Sequence, residues 1–159
     1  MGRRPESLTN DQKTILVVDD DRVTLELVSE TLLGDNYSVL TASSAEGAVR
    51  LARDYKSKIH LLLSDFQMTG MTGIDLATRL SLERPQLKVL IVSAFGAELL
   101  VLNKGWYFLS KPFVPSQLRT LVAGLVSSDR EAGFSEVPAR EGESEGQIIP
   151  RIESDWNSL

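Results

Sequence analysis

The fold is decided by residues 61–73, LLLSDFQMTGMTG. Three consecutive leucines with no polar residue between them predict a strand buried on both faces, as in a parallel sheet. The strand ends on Asp65 and is followed by a glycine-containing loop, and open α/β sheets bind their ligands at the carboxyl ends of their strands. Taken alone, Asp65 is more simply a residue that caps the next turn. Its role depends on what else the chain brings to the same edge.

Buried strands alternate with amphipathic helices along the rest of the chain. The predicted strands are residues 14–18, 37–42, 59–65, 87–94 and 106–109. Helices are predicted after Asp20 or Asp21, after Ser43 or Ser44, between Gly73 and Pro85, at about residues 97–103, and over a last segment that bears Leu118, Leu121, Val122 and Leu125. This order predicts an α/β fold of the flavodoxin-like kind, a doubly wound five-stranded parallel sheet with five helices, of which the fourth is short.

The composition excludes several classes of protein. With 159 residues, 42% hydrophobic and 25% charged, the chain suits one globular domain. Without cysteine it has neither disulfides nor a cysteine-based zinc site. Its one histidine, His60, lies near the start of a predicted strand, which favours a structural role over a phosphohistidine. No apolar run reaches the roughly 20 residues that span a bilayer, so a cytoplasmic protein with no membrane partner is expected.

The net charge of −5 is concentrated at the C-terminus, because Asp129–Leu159 holds eight acidic and three basic residues. The neutral remainder has no basic stripe, so no nucleic-acid partner is expected. We predict a flexible N-terminus at residues 1–12, one domain at 13–127, and an acidic, disordered tail at 128–159 that is too short and polar for an output domain. The apolar residues Ile148, Ile149, Ile152 and Trp156 in this tail are either a docking peptide or isolated residues of an unstructured segment.

Polar side chains end four of the predicted strands, and parallel strands bring them to one edge. They are Asp19 and Asp20 after the first strand, Asp65 on the third, Ser93 on the fourth and Lys111 after the fifth. Three crowded carboxylates repel one another unless a cation is present, and oxygen ligands alone suit Mg²⁺. Together with a lysine and a hydroxyl, they predict a site that holds a phosphoryl group on an aspartate.

Four segments carry a resemblance to a known family. ILVVDDD at 15–21, LLLSDFQMTGMTG at 61–73, VSA at 92–94 and FLSKPF at 108–113 resemble, in order, the signatures of bacterial two-component response-regulator receiver domains. The likeness is to the chemotaxis-regulator-like, stand-alone type.

The resemblance implies roles for individual residues. Asp65 is the expected phosphoacceptor, and Asp19, Asp20, Asp65 and the backbone carbonyl of Gln67 are expected to bind Mg²⁺. Ser93 is expected to hydrogen-bond the phosphoryl oxygen and Lys111 to pair with it. Phe108 is the expected switch aromatic, and the Lys111–Pro112 peptide is expected to be cis.

Two departures from the family pattern lie in the loop after Asp65, where the family often has Pro at position 69 and Asp at position 72. Thr69 and Thr72 stand there instead, and we expect altered loop dynamics only. The short fourth helix puts the usual dimerisation face in doubt, although a homodimer is compatible with the sequence.

The predicted function is a phosphorylation-controlled switch rather than an enzyme that turns over external substrates. A histidine kinase or histidine phosphotransfer protein is the expected donor, and a downstream protein is the expected target. Two alternatives stay open: a haloacid-dehalogenase-like phosphatase that uses Asp19 of the DDDRV pattern at 19–23, and a pseudo-receiver scaffold that is never phosphorylated.

Overall fold

The computed structural model describes residues 12–94, 105–127 and 148–149. Its strands are β1 (Thr14–Val18), β2 (Ser38–Ala42), β3 (Leu61–Asp65), β4 (Lys88–Ser93), β5 (Trp106–Ser110) and β6 (Ile148–Ile149). Its helices are α1 (Arg22–Gly34), α2 (Ala45–Asp54), α3 (Gly73–Glu83) and α4 (Pro115–Ser127).

All six strands belong to one sheet in the order β2-β1-β3-β4-β5-β6. Strands β1 to β5 pair in parallel. The chain moves from β1 to β2 on one side and then crosses to β3 on the other. This reversal creates a switch point, the place where open α/β sheets bind ligands. The predicted doubly wound sheet of five parallel strands is confirmed.

Alternate side chains of the central strands pack into two hydrophobic cores, one on each face of the sheet. Leu16 and Leu62 pack with α2 and α3, whereas Ile15 and Leu61 pack with α1 and α4. Every residue of β3 is buried, which confirms the interpretation of the three leucines. Burial of one such leucine contributes about 2 kcal/mol, so these strands fix the layers of the domain.

Side-chain caps settle two choices that the sequence leaves open. The Asp21 carboxylate accepts a hydrogen bond from the Thr24 backbone N–H at 3.2 Å, so Asp21 rather than Asp20 caps α1. The Ser44 hydroxyl accepts from the Gly47 N–H at 3.0 Å and caps α2. Asp20 is therefore not needed as a helix cap.

Strand ends differ from the prediction by one or two residues, most clearly in β3, which begins at Leu61 instead of Ile59. The His60 Nδ1 accepts from the backbone N–H of Thr14 at 3.0 Å, so a side chain takes the place of a strand carbonyl. This contact gives His60 the predicted structural role.

Two predictions for the later part of the chain need correction or lie beyond the structure. Ile148–Ile149 pairs antiparallel with β5, so the sheet has one strand more than predicted, and these two residues depart from the disordered-tail assignment. An unpaired sheet edge is a template for a short β-branched segment, which explains the extra strand. The short helix predicted at 97–103 lies outside the described residues. The Lys111–Pro112 peptide is cis, as the resemblance implies.

Gly73, the first residue of α3, lies against the backbone of β3. Its N–H donates to the Phe66 carbonyl at 2.9 Å. A Cβ atom at this position would overlap the carbonyl oxygen of Asp65. The glycine therefore permits a close approach between the helix and the end of the strand.

We predict that Gly73→Ala lowers the free energy of unfolding by about 2–3 kcal/mol, because backbone has to move to admit the methyl group. The measurement is urea unfolding of both proteins. Gly124→Ala in α4 is the matched control, since nothing lies within 4 Å of its Cβ position, and it should stabilise by about 0.5–1 kcal/mol. A Gly73→Ala protein as stable as the wild type would contradict the close approach.

Candidate functional site

The parallel register brings the predicted site residues to one edge. Asp65 pairs in register with Val92, and Ser93 pairs with Ser110. Strands β3, β4 and β5 therefore end nearly level, with Asp65, Ser93 and Lys111 at or just beyond their carboxyl ends. Asp19 follows β1 directly, and its N–H donates to the Ala42 carbonyl at 3.2 Å, which extends the ladder to β2.

Three carboxylates meet at this edge. Asp19, Asp20 and Asp65 each offer an oxygen, and these oxygens lie within 4.8 Å of one another. Asp19 and Asp65 are buried, at 5% and 8% exposure, whereas Asp20 is exposed. Like charges this close repel, and burial of two of them increases the cost.

Lys111 provides the positive charge that faces these acids. Its Nζ lies 3.0 Å from Asp65 Oδ1 and 3.4 Å from Asp19 Oδ2. The backbone N–H of Lys111 donates to the Ser93 carbonyl at 2.8 Å, which fixes the start of this loop to the end of β4. The sheet thus sets the position from which the ammonium reaches two carboxylates.

The pKa values of Asp65 and Lys111 are both raised. Burial raises the pKa of Asp65 above its ordinary value, the Asp19 and Asp20 charges add to this, and Lys111 opposes it. Burial by itself would lower the pKa of Lys111, but the hydrogen bond to Asp65 and the charges of Asp19 and Asp65 together raise it. Lys111 is therefore charged at neutral pH, and ionised Asp65 is held at a free-energy cost.

Backbone donors orient the first two acids. The Asp21 N–H donates to Asp19 Oδ1 at 2.8 Å, and the Thr69 N–H donates to Asp20 Oδ2 at 3.3 Å. A proline at position 69 has no N–H and could not make the second bond. The Thr69 departure thus adds a contact to the site, in addition to the altered loop dynamics that the sequence predicts.

Thr72 also has a structural role beyond the predicted change in loop dynamics. Its side chain accepts from the Asp75 N–H at 3.1 Å, and the Asp75 carboxylate accepts from the Thr72 N–H at 3.2 Å. This reciprocal capping box begins α3 and fixes the end of the loop that follows Asp65. The pattern Thr-x-x-Asp was a signal available in the sequence.

The remaining predicted residues lie around this centre. Ser93 and Phe108 are both 1% exposed, and Phe108 packs in the core on the α2–α3 side. Phe108 is in register with Ile91, two residues before Ser93, so Ser93 and Phe108 share one face of the sheet. Gln67 lies in the exposed loop two residues after Asp65.

The donor set fits a hard divalent cation. Three carboxylate oxygens against one ammonium leave net negative charge, and the oxygens are close enough together to share one ion. When bound, a cation such as Mg²⁺ would neutralise the carboxylates and the oxygens of an incoming phosphoryl group. Asp19, Asp20 and Asp65 are the residues placed to hold it.

The sheet thus gathers three acids, a lysine and a serine at one edge, a set suited to a cation and a phosphoryl group. A family model described as the response regulator receiver domain matches residues 15–123. The chain therefore belongs to the response regulator receiver family.

Named relatives come from plants and bacteria. The two-component response regulator ARR14 of Arabidopsis thaliana is 35% identical over 111 residues, which are 67% of this chain and 29% of that protein. The response regulator protein FleR of Pseudomonas aeruginosa is 37% identical over 114 residues, 69% of this chain and 24% of that protein. The chain thus spans about a quarter of the length of these two relatives.

The fold is also similar to solved receiver structures. The chemotaxis response regulator CheY4 of Vibrio cholerae aligns with a TM-score of 0.62 and 28% identity, over 70% of this chain and 97% of that one. None of these matches supports the haloacid-dehalogenase alternative. The bacterial and stand-alone assignments stay predictions. Among the described residues, no helix is long and apolar enough to cross a membrane.

We predict that Asp65→Asn stabilises the metal-free protein at neutral pH and that this gain disappears in acid. A carboxyl whose folded-state pKa is raised binds more protons folded than unfolded, so stability falls as the pH rises through that window. Asparagine does not ionise and avoids the loss.

Urea unfolding of both proteins between pH 3 and pH 8 measures this difference. Glu30→Gln, which removes an exposed carboxylate on α1, controls for the change in net charge. A gain for Asp65→Asn that stays constant down to the lowest pH, or that matches Glu30→Gln, would contradict the assignment of the shift to Asp65.

Proposed function

We propose that this receiver domain is a phosphorylation-controlled switch of a two-component phosphorelay. Asp65 accepts a phosphoryl group from a histidine kinase or a histidine phosphotransfer protein, and the domain then changes its binding of a downstream protein. The observation that carries the proposal is the contact of 3.0 Å between Lys111 Nζ and Asp65 Oδ1 inside a cluster of acids suited to Mg²⁺.

In the proposed transfer, an Asp65 carboxylate oxygen forms the new bond to phosphorus. The P–N bond of the phosphohistidine breaks, and its electron pair returns to the imidazole nitrogen of the donor. Such a transfer needs mainly alignment and charge neutralisation. Burial raises the free energy of the Asp65 carboxylate, and the Lys111 ammonium already lies 3.0 Å from Asp65 Oδ1.

The product changes the local balance of charge. An acyl phosphate carries more negative charge than the carboxylate it replaces, so Lys111 would pair with a phosphoryl oxygen instead of Asp65. Ser93, at the end of the adjacent strand, would donate its hydroxyl to another oxygen. Phe108 shares a face of the sheet with Ser93, and its repositioning would carry the change to the surface near β5.

Metal binding is assigned to Asp19, Asp20, Asp65 and the backbone carbonyl of Gln67, with Mg²⁺ as the ion. The exposed position of Asp20 and its one weak backbone contact, 3.3 Å from Thr69 N, leave its carboxylate able to reorient toward an ion. The loop position of Gln67 is compatible with a carbonyl ligand.

A protein donor is supported by apolar side chains near the same edge. Val23 and Leu27, one turn apart on α1, are 74% and 48% exposed, and Val114 before α4 is 51% exposed. Helices α1 and α4 begin at the edge that holds Asp65 and pack on one another. A donor that presents phosphohistidine to Asp65 would cover these side chains.

The remaining assignments follow from this role. The domain acts as a switch in the cytoplasm rather than as a turnover enzyme, with no nucleic-acid or membrane partner of its own. Its boundaries at 13–127 enclose the family match at 15–123. A homodimer is compatible with the proposal.

The first test is incubation with acetyl phosphate and Mg²⁺, followed by intact mass spectrometry. The wild-type chain is expected to gain one phosphoryl group and Asp65→Asn none. Labelling that persists in Asp65→Asn but disappears in Asp19→Ala would instead favour an Asp19 nucleophile. A folded wild-type chain that binds Mg²⁺ and gains no phosphate would support the pseudo-receiver alternative.

We further predict that Lys111→Met slows labelling by acetyl phosphate by about 100-fold, because it removes the cation aimed at the developing charge. Lys58→Met, an exposed lysine before β3, is the matched control and should label at the wild-type rate. The measurement is the initial rate of mass increase at saturating Mg²⁺. Equal rates for Lys111→Met and wild type would remove Lys111 from the mechanism.

A further inference from the structure

The outer edge of β5 is covered by a segment of the same chain. β5 is the last of the five parallel strands, and β6 pairs with it antiparallel, with Phe108 opposite Ile149 and Leu109 opposite Ile148. Without β6, this edge would present a row of unpaired N–H and C=O groups, which attracts strands from other chains.

The direction of the β5 backbone groups identifies the residue that bonds to β6. The Lys111 N–H faces β4, since it donates to the Ser93 carbonyl at 2.8 Å. Backbone groups alternate in direction along a strand, so those of Leu109 also face β4, and those of Phe108 face outward. Phe108 and Ile149 therefore form the hydrogen-bonded type of antiparallel pair, which exchanges two N–H···O bonds.

The sequence around β6 suits a short strand of this kind. Ile148 and Ile149 are β-branched and stand in a segment rich in Glu, Gly and Ser. Pro150 follows and biases Ile149 toward extended backbone.

The connection to β6 is long enough. α4 ends at Ser127, and residues 128–147 lie between it and β6. At about 3.3 Å per residue this connection can extend about 60 Å, compared with the roughly 20 Å length of a helix such as α4. The connection is therefore longer than the distance that it has to span to reach the outer edge of β5.

We propose that the outer edge of β5 is a strand-addition site that this chain fills with its own Ile148–Ile149. The occupant has a defined chemistry, an extended β-branched dipeptide followed by proline, with the Ile149 N–H and C=O as its bonding groups. A strand from a partner can pair with Phe108 only after this segment leaves. The proposal stands on the pairing alone and does not require Asp65 to be the phosphoacceptor.

Amide hydrogen exchange in the full chain, followed by NMR, tests the occupancy. Ile149→Pro removes the donor to the Phe108 carbonyl. Loss of this one of the two paired hydrogen bonds weakens attachment of β6, so the Phe108 N–H is exposed more often and its exchange should speed up by about tenfold. The Leu109 amide faces β4 and should not change. Ile148→Pro is the matched control, because the Ile148 N–H faces away from β5, and Phe108 protection should persist.

Two further outcomes are decisive. A peptide of residues 144–153, added to the Ile149→Pro protein at about 1 mM to match a tethered segment, should restore Phe108 protection. Equal Phe108 exchange in the wild type and Ile149→Pro, or no restoration by the peptide, would overturn the site. Wild-type protection that increases with protein concentration would show that a second copy supplies the strand, which overturns occupancy by the same chain.

Discussion

The ion pair between Lys111 and Asp65 joins the ends of β5 and β3 across β4. Its short distance of 3.0 Å is possible because the three strands end in register, and the register is set by apolar side chains far from the site. The pair does not neutralise the edge, since Asp19 and Asp20 remain beside it. This excess of negative charge suits a cation, and a bound cation would in turn offset the charge of a phosphoryl group.

Three contacts fix the conformation of the loop that follows Asp65. Gly73 allows α3 to approach the Asp65 carbonyl, the Thr72–Asp75 capping box begins the helix, and the Thr69 N–H contacts Asp20. These contacts join the loop to Asp65, to the start of α3 and to Asp20. A change in charge at Asp65 would therefore act on α3 and on Asp20 together.

The sequence was sufficient to predict the sheet and the convergence of Asp19, Asp65 and Lys111 at one edge. Strands buried on both faces have no polar alternation, and parallel strands bring their ends together whatever their separation in sequence. The choice between Asp20 and Asp21 as the cap was not predictable, since adjacent aspartates cap equally well and tertiary contacts decide. The bond from Thr69 depends on the path of a loop, for which the sequence has no periodic signal.

Strand β6 was also not predictable from the sequence, because two residues have no periodicity and their partner strand is distant in the sequence. The position of β5 explains the pairing, because β5 lies next to both the charged edge and β6. Lys111, just beyond one end of β5, faces the acids, and the outward backbone of Phe108 faces β6. The same strand therefore connects the charged edge with the only edge of the described parallel sheet that another segment covers. Any movement of β5 that accommodates a new partner for Lys111 would also change the geometry that Ile149 has to match.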